Sequence, residues 1–240
     1  MKALLLGLLF SLPATAQEVI YQVGGQNYQG YFAKAQGAVK GSVVLIHDWD
    51  GLTDYEVKRA DMLAKQGYNT FAADLYGAGN RPVETQAKKA ETEKLYTDRE
   101  KMRRLILAAI SESKKLSQYE MVVMGYCFGG AAVLELARSG KASQVKGYAT
   151  FHGGLATPEG QDYQSLRAPI FVAHGGADSA VPLSQVSDLG RQLEAVQADY
   201  EIQIYSGAPH AFTVMGSPSY QEIADKKSWN AFLGFLEDNL

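Results

Sequence analysis

Met121-Val122-Val123-Met124-Gly125-Tyr126-Cys127-Phe128-Gly129-Gly130 is an apolar run that enters a glycine-flanked turn and leaves into a segment with helical spacing, residues 130–138. A short apolar run bounded by turn residues suits a strand buried on both faces. Glycines two before and two after residue 127 let a strand and a helix pass closely through a sharp turn, with the central side chain held at its tip. The stretch therefore predicts strand, elbow, helix, and it puts a cysteine where such a turn presents a nucleophile. The helix amino end beside that cysteine favours thiolate over thiol. The same five residues also suit an inert, buried cysteine at a structural turn.

Outward from the elbow the pattern repeats. Short apolar runs at 43–46, 70–73, 145–149 and 170–173, with one more strand at 200–205, alternate with helical spacing at 55–66, 84–116, 183–196 and 219–240. Two alternating segments, 18–23 and 27–33, meet at Gly24-Gly25 as a hairpin. Strands alternating with helices imply an α/β fold: a mostly parallel, doubly wound sheet behind an N-terminal antiparallel hairpin. Ligands gather at the carboxyl ends of such strands. Those ends carry His47-Asp48-Trp49-Asp50, the Cys127 elbow, His174-Gly175-Gly176-Ala177-Asp178 and Gly207-Ala208-Pro209-His210. Nucleophile, acid and base thus arrive in the order Cys127, Asp178, His210, the order in which an acid orients an imidazole that takes or gives the proton. Singly, Asp178 also reads as a turn or cap residue and His210 as a loop histidine.

Composition narrows the remaining choices. The 240 residues are 46% hydrophobic and 20% charged, which fits one α/β domain. With 23 basic against 26 acidic residues the net charge is −3, so nucleic acid is not an expected partner. Lys2, an apolar run at 3–10 and Ala14-Thr15-Ala16 read as a signal peptide over 1–16, leaving a single domain over 17–240 that is periplasmic or secreted. A buried N-terminal helix is the other reading. The run falls short of the roughly 20 residues a membrane span needs, so no stable membrane insertion is expected. Cys127 is the only cysteine, which excludes an internal disulfide. An odd thiol in an oxidising compartment is either inert or kept for its reactivity.

Gly-x-Cys-x-Gly, the His-Gly-Gly-x-Asp segment, Gly207-Ala208-Pro209-His210-Ala211-Phe212 and Ala73-Asp74-Leu75-Tyr76-Gly77 together resemble the dienelactone hydrolase family of α/β-hydrolases, from about Tyr21 to Leu236. The resemblance implies an α/β-hydrolase fold with Cys127 as nucleophile, His210 as base and Asp178 as orienting acid. It also implies an oxyanion hole from the backbone N–H groups of Trp49 and Phe128. Asp48 stands where the family has an acid, usually glutamate, that pairs with the resting cysteine; here that acid is one methylene shorter. For Asp48 and Asp50 the competing reading is solvated loop charge. The stretch after His210, Ala211 to Met215, lacks the arginine with which dienelactone-cleaving members hold a substrate carboxylate. Arg81, Lys88 and Lys89 lie where another family arginine occurs, or simply form a solvated helix face. Tyr76, Trp49, Phe151, Phe212 and Met215 are expected to give an apolar pocket, and residues 77–90 are a candidate lid.

These readings predict an exported, monomeric hydrolase of small-molecule carboxylic esters or lactones, without cofactor or metal, and not specific for dienelactone. Two alternatives stand beside it. One is a metal site drawn from His47, His152, His174 and His210, although no metal-ligand spacing joins them. The other is a binding protein that keeps the fold with little or no catalysis.

Overall fold

A computed structural model describes residues 16–240; the signal-peptide expectation falls outside the described residues. Eight strands form one sheet: β1 (Gln17–Val23), β2 (Gln26–Ala33), β3 (Gly41–Ile46), β4 (Tyr68–Ala73), β5 (Met121–Tyr126), β6 (Val145–Phe151), β7 (Ile170–Gly175) and β8 (Tyr200–Tyr205). Their spatial order is β1-β2-β4-β3-β5-β6-β7-β8. β1 and β2 make the expected antiparallel hairpin, β2 runs antiparallel to β4, and every later pairing is parallel.

Central strands read as unbroken apolar runs because both faces are covered. Val44 and Ile46 of β3 and Val123 of β5 join one core, and Val43, Leu45, Val122 and Met124 join the other, as the two-residue period of a strand requires. Helices α3 (Arg99–Leu116), α4 (Phe128–Ser139) and α5 (Leu183–Ala195) cover the first face, and α1 (Asp54–Lys65) and α6 (Glu222–Asn239) the second. Thr53 and Glu56 close a reciprocal capping box at the start of α1, fixing that helix directly after the loop that leaves β3.

One expected helix is two. The 84–116 segment breaks at Asp98 into α2 (Thr85–Thr97) and α3. Asp98 leaves the helical region and its carboxylate accepts the Lys101 N–H at 2.8 Å, so it starts a new helix where charged, evenly helix-forming flanks hide the break. α2 buries only Leu95, whereas α3 buries a full apolar stripe. No helix of the described residues is long and apolar enough to cross a membrane.

Candidate active site

The elbow forms as the glycine spacing predicts. Cys127 sits between β5 and α4 with φ 50° and ψ −112°, a left-handed backbone that a side chain rarely adopts. Space explains the flanking glycines. A Cβ on Gly125 would stand 2.3 Å from the Gly129 carbonyl oxygen, and one on Gly129 would stand 2.3 Å from the Ile46 carbonyl oxygen. Strand, turn and helix touch backbone to backbone, which pins the cysteine at the carboxyl edge of the sheet. The Cys127 N–H donates to Phe151 O at 3.0 Å, tying the turn to β6.

Cys127, His210 and Asp178 come together. Cys127 Sγ lies 3.2 Å from His210 Nε2, and His210 Nδ1 lies 2.8 Å from Asp178 Oδ2. The other Asp178 oxygen accepts the Ala180 and Val181 N–H groups, each at 2.9 Å, so the carboxylate cannot rotate away. Burial alone would lower the His210 pKa, but the bond to Asp178 and then the contact with Cys127 raise it to about 10. Burial pushes Asp178 up, and the His210 bond with the backbone donors brings it below the usual carboxylate range. Both shifts favour the charged pair, an imidazolium against the Asp178 carboxylate.

Two further groups face the same edge. Phe128 N–H opens α4, and Trp49 N–H lies in the loop after β3; neither has a protein acceptor among the described residues. Tyr76 holds the Trp49 carbonyl at 3.1 Å and packs edge-on to His47, whose ring centroid is 4.6 Å away. His47 is fully spent on backbone: Nε2 accepts the Leu75 N–H and Nδ1–H donates to Asp48 O.

Asp48 does not reach the sulfur. Among the described residues Cys127 Sγ has one hydrogen-bond partner, His210, while an Asp48 carboxylate oxygen accepts the Asp50 N–H at 3.0 Å. Burial, and then its side-chain contact with the Asp50 carboxylate, push the Asp48 carboxyl up to about 10 against the lowering effect of the Asp50 N–H, so it carries a proton. It stands in an acidic trio with Asp50 and Glu56, whose oxygens lie within 4.8 Å of one another. That trio is the one group of the described residues with metal-ligand geometry, and Lys88 Nζ already sits 3.2 Å from Asp50. The four histidines do not form such a group.

The expected pocket is corrected on one side of the sheet. Phe151 and Phe212 are core residues: Phe151 packs against Tyr126, Phe171 and Phe232, and Phe212 against Tyr205 and His152. Both belong to the core under α1 and α6: Phe151 ends β6 on the face its register dictates, and Phe212 folds back onto that core from the loop after β8. Met215 is half-buried on the loop beyond Thr213. A cavity of about 400 Å³ is lined by Tyr96, Arg99, Ala131, Gly154, Val181 and Gln185, among others; Cys127, Asp178 and His210 are not in its lining. Three of its lining residues touch the site's neighbourhood: Ala131 N–H donates to Cys127 O, Val181 N–H to Asp178, and Tyr96 packs edge-on to Phe128. Tyr96 lies in the last turn of α2, just before the break at Asp98 that the sequence pattern conceals. Arg81 is no free cation: it donates to the carbonyls of Leu52, Asn80 and Gln29 and to Asp74. Lys88 crosses from α2 to the loop after β3, its ammonium 5.2 Å from the centre of the Trp49 ring.

A parallel sheet wound on both faces, with a strained elbow and an imidazole against its tip, defines the α/β-hydrolase class. The dienelactone hydrolase family profile matches residues 28–240, and the chain belongs to that family of ester and lactone hydrolases. A protein of Bradyrhizobium sp named "Probable 2-oxo-3-(5-oxofuran-2-ylidene)propanoate lactonase" is 25% identical over 83% of this chain and 84% of its own. The solved structure of a dienelactone hydrolase-like promiscuous phosphotriesterase, P91, from metagenomic libraries is 27% identical, with a TM-score of 0.83 over 94% of this chain and 98% of that one.

Proposed function

We propose that the chain is an exported hydrolase of carboxylic esters or lactones that works through Cys127, His210 and Asp178 by way of a thioester. The observation that carries this is the contact chain from Asp178 through His210 to a strained cysteine at the carboxyl edge of the sheet. The Cys127 thiolate attacks the carbonyl carbon, and the negative charge moves to the carbonyl oxygen, held by Trp49 and Phe128 N–H. As the tetrahedral adduct collapses, His210 gives its Nε2 proton to the leaving oxygen. The now neutral imidazole, oriented by Asp178, takes a proton from water, whose oxygen attacks the thioester. Collapse releases the acid and restores thiolate and imidazolium. Ala211 to Met215 carry no cation and Arg81 is bound to backbone carbonyls and Asp74, which supports neutral esters or lactones over dienelactone; Arg99 and Arg138, which line the cavity, share the one Glu135 carboxylate with Arg103. The expected export leaves Gln17 as the mature amino terminus.

Cys127→Ala and His210→Ala are expected to abolish turnover of p-nitrophenyl butyrate while leaving the circular dichroism spectrum unchanged. Wild-type turnover in Cys127→Ala overturns the mechanism. Equal or faster turnover of the matching hemisuccinate ester overturns the preference for neutral substrates.

A further inference from the structure

His152 lies next to the triad, and nothing in the mechanism above uses it. It follows the last residue of β6 with φ 40°, one of four non-glycine residues of positive φ among the described residues. Its backbone is fixed twice: its own N–H donates to Ala173 O of β7 at 2.8 Å, and the Phe151 carbonyl just before it receives the Cys127 N–H. Its ring is fully buried and meets the His210 ring at a centroid distance of 5.4 Å and 66°, with Phe212 edge-on at 5.5 Å. His152 Nε2 lies 2.8 Å from Thr213 Oγ1, and that hydroxyl lies 2.6 Å from the Tyr55 hydroxyl on α1. The Thr213 carbonyl accepts from Arg59, itself paired with Asp225 on α6.

Thr213 stands three residues beyond His210, across Ala211 with φ 62°. The segment that delivers the base is therefore strained and relaxes unless it is held. His152 and Thr213 hold it from the sheet side, Tyr55 and Arg59 from the helix side. Packing alone does not explain a histidine here. Its Nδ1 is buried with no partner among the described residues, whereas phenylalanine would fill the same space without stranding a nitrogen. Burial, and then the nearby His210 charge, hold His152 neutral, so it contacts the imidazolium without opposing it.

We propose that His152 is a positioning residue for His210, fixing through Thr213 the rotamer in which that imidazole spans Asp178 and Cys127. The inference rests on the triad reading, and its test separates the two. Thr213→Val removes the hydroxyl at constant shape, Thr213→Ser keeps it, and His152→Phe keeps the ring volume without the nitrogen. Turnover of p-nitrophenyl butyrate is expected to fall about tenfold in kcat with KM within twofold for the Val and Phe variants, and to stay within twofold of wild type for Ser. The second readout is the rate of alkylation by iodoacetamide, clean because Cys127 is the only cysteine. It is expected to fall in parallel, and it needs no ester substrate. If wild type cleaves no ester but alkylation slows in the Val variant and not in Ser, positioning stands and the hydrolase reading fails. If Val and Ser behave alike in both readouts, positioning is refuted whatever the substrate. Should His152→Phe fail to fold, the Thr213 pair decides.

Discussion

Gly129→Ala isolates the close packing of the elbow from its chemistry. Gly129 has helical backbone without positive φ, so local propensity favours alanine there by about 1 kcal/mol. The surroundings oppose it. The added Cβ would stand 2.3 Å from Ile46 O and 2.5 Å from His47 O, where ordinary contacts begin at 3.4 Å. Both obstacles are backbone atoms at the end of β3, so relief requires the start of α4 and the end of β3 to separate by about 1 Å, the shortfall in that contact. Phe128 N–H rides on the first part and Trp49 N–H follows the second. A misplacement of about 1 Å in catalytic groups costs on the order of 100-fold in rate. Overpacking of about 1–3 kcal/mol lowers Tm by about 3–10 °C in a chain of this size. The assays are kcat for p-nitrophenyl butyrate and calorimetric Tm on the same preparation. A variant with wild-type kcat, whatever its Tm, refutes the claim that these two N–H groups share one oxyanion.

Asp48→Asn is expected to change kcat by no more than about threefold, since a protonated carboxyl bonded to Asp50 is closely mimicked by an amide; a loss of 100-fold in steady-state assays would restore Asp48 as the activator of Cys127. Arg59→Met leaves Asp225 buried without its partner, and such losses run to about 3–5 kcal/mol, so chemical denaturation should show a clear fall in stability. The pH dependence has a definite sign. Because His210 is raised from 6.5 to about 10, its contribution to stability is complete below pH 6.5 and is lost as pH rises through 10. The Tm gap between wild type and His210→Gln should therefore narrow from pH 7 to 10, and a gap that widens contradicts the imidazolium assignment.

The strands, the hairpin and the arrival of Cys127, Asp178 and His210 on one edge of the sheet were legible because each rests on local pattern: apolar runs, glycine spacing, and polar residues at strand ends. What sequence concealed were relations between elements. Phe151 ends a strand that reaches the catalytic edge and Phe212 lies in the loop beyond another, yet which side of the sheet each takes depends on packing with neighbours distant in the chain. Asp98 hid a helix break because an aspartate among charged helix formers reads equally as a surface residue and as a cap. Asp48 occupies the expected place and points elsewhere, since Asp50 and Glu56 compete for it at a range that composition does not reveal. His152 and Thr213, 61 residues apart, carry no shared motif.

Of the four non-glycine residues with positive φ among the described residues, Cys127, His152 and Ala211 stand at the site. Such conformations cost on the order of 1–3 kcal/mol each, a large share of the roughly 5–15 kcal/mol by which a domain is stable at all. Selection of this protein for heat resistance alone should therefore drift toward glycine at these three positions, and the hardiest survivors would be inert. A useful thermostable form has to gain its margin far from the carboxyl edge of the sheet, for instance on the exposed face of α2 or along the β8 border.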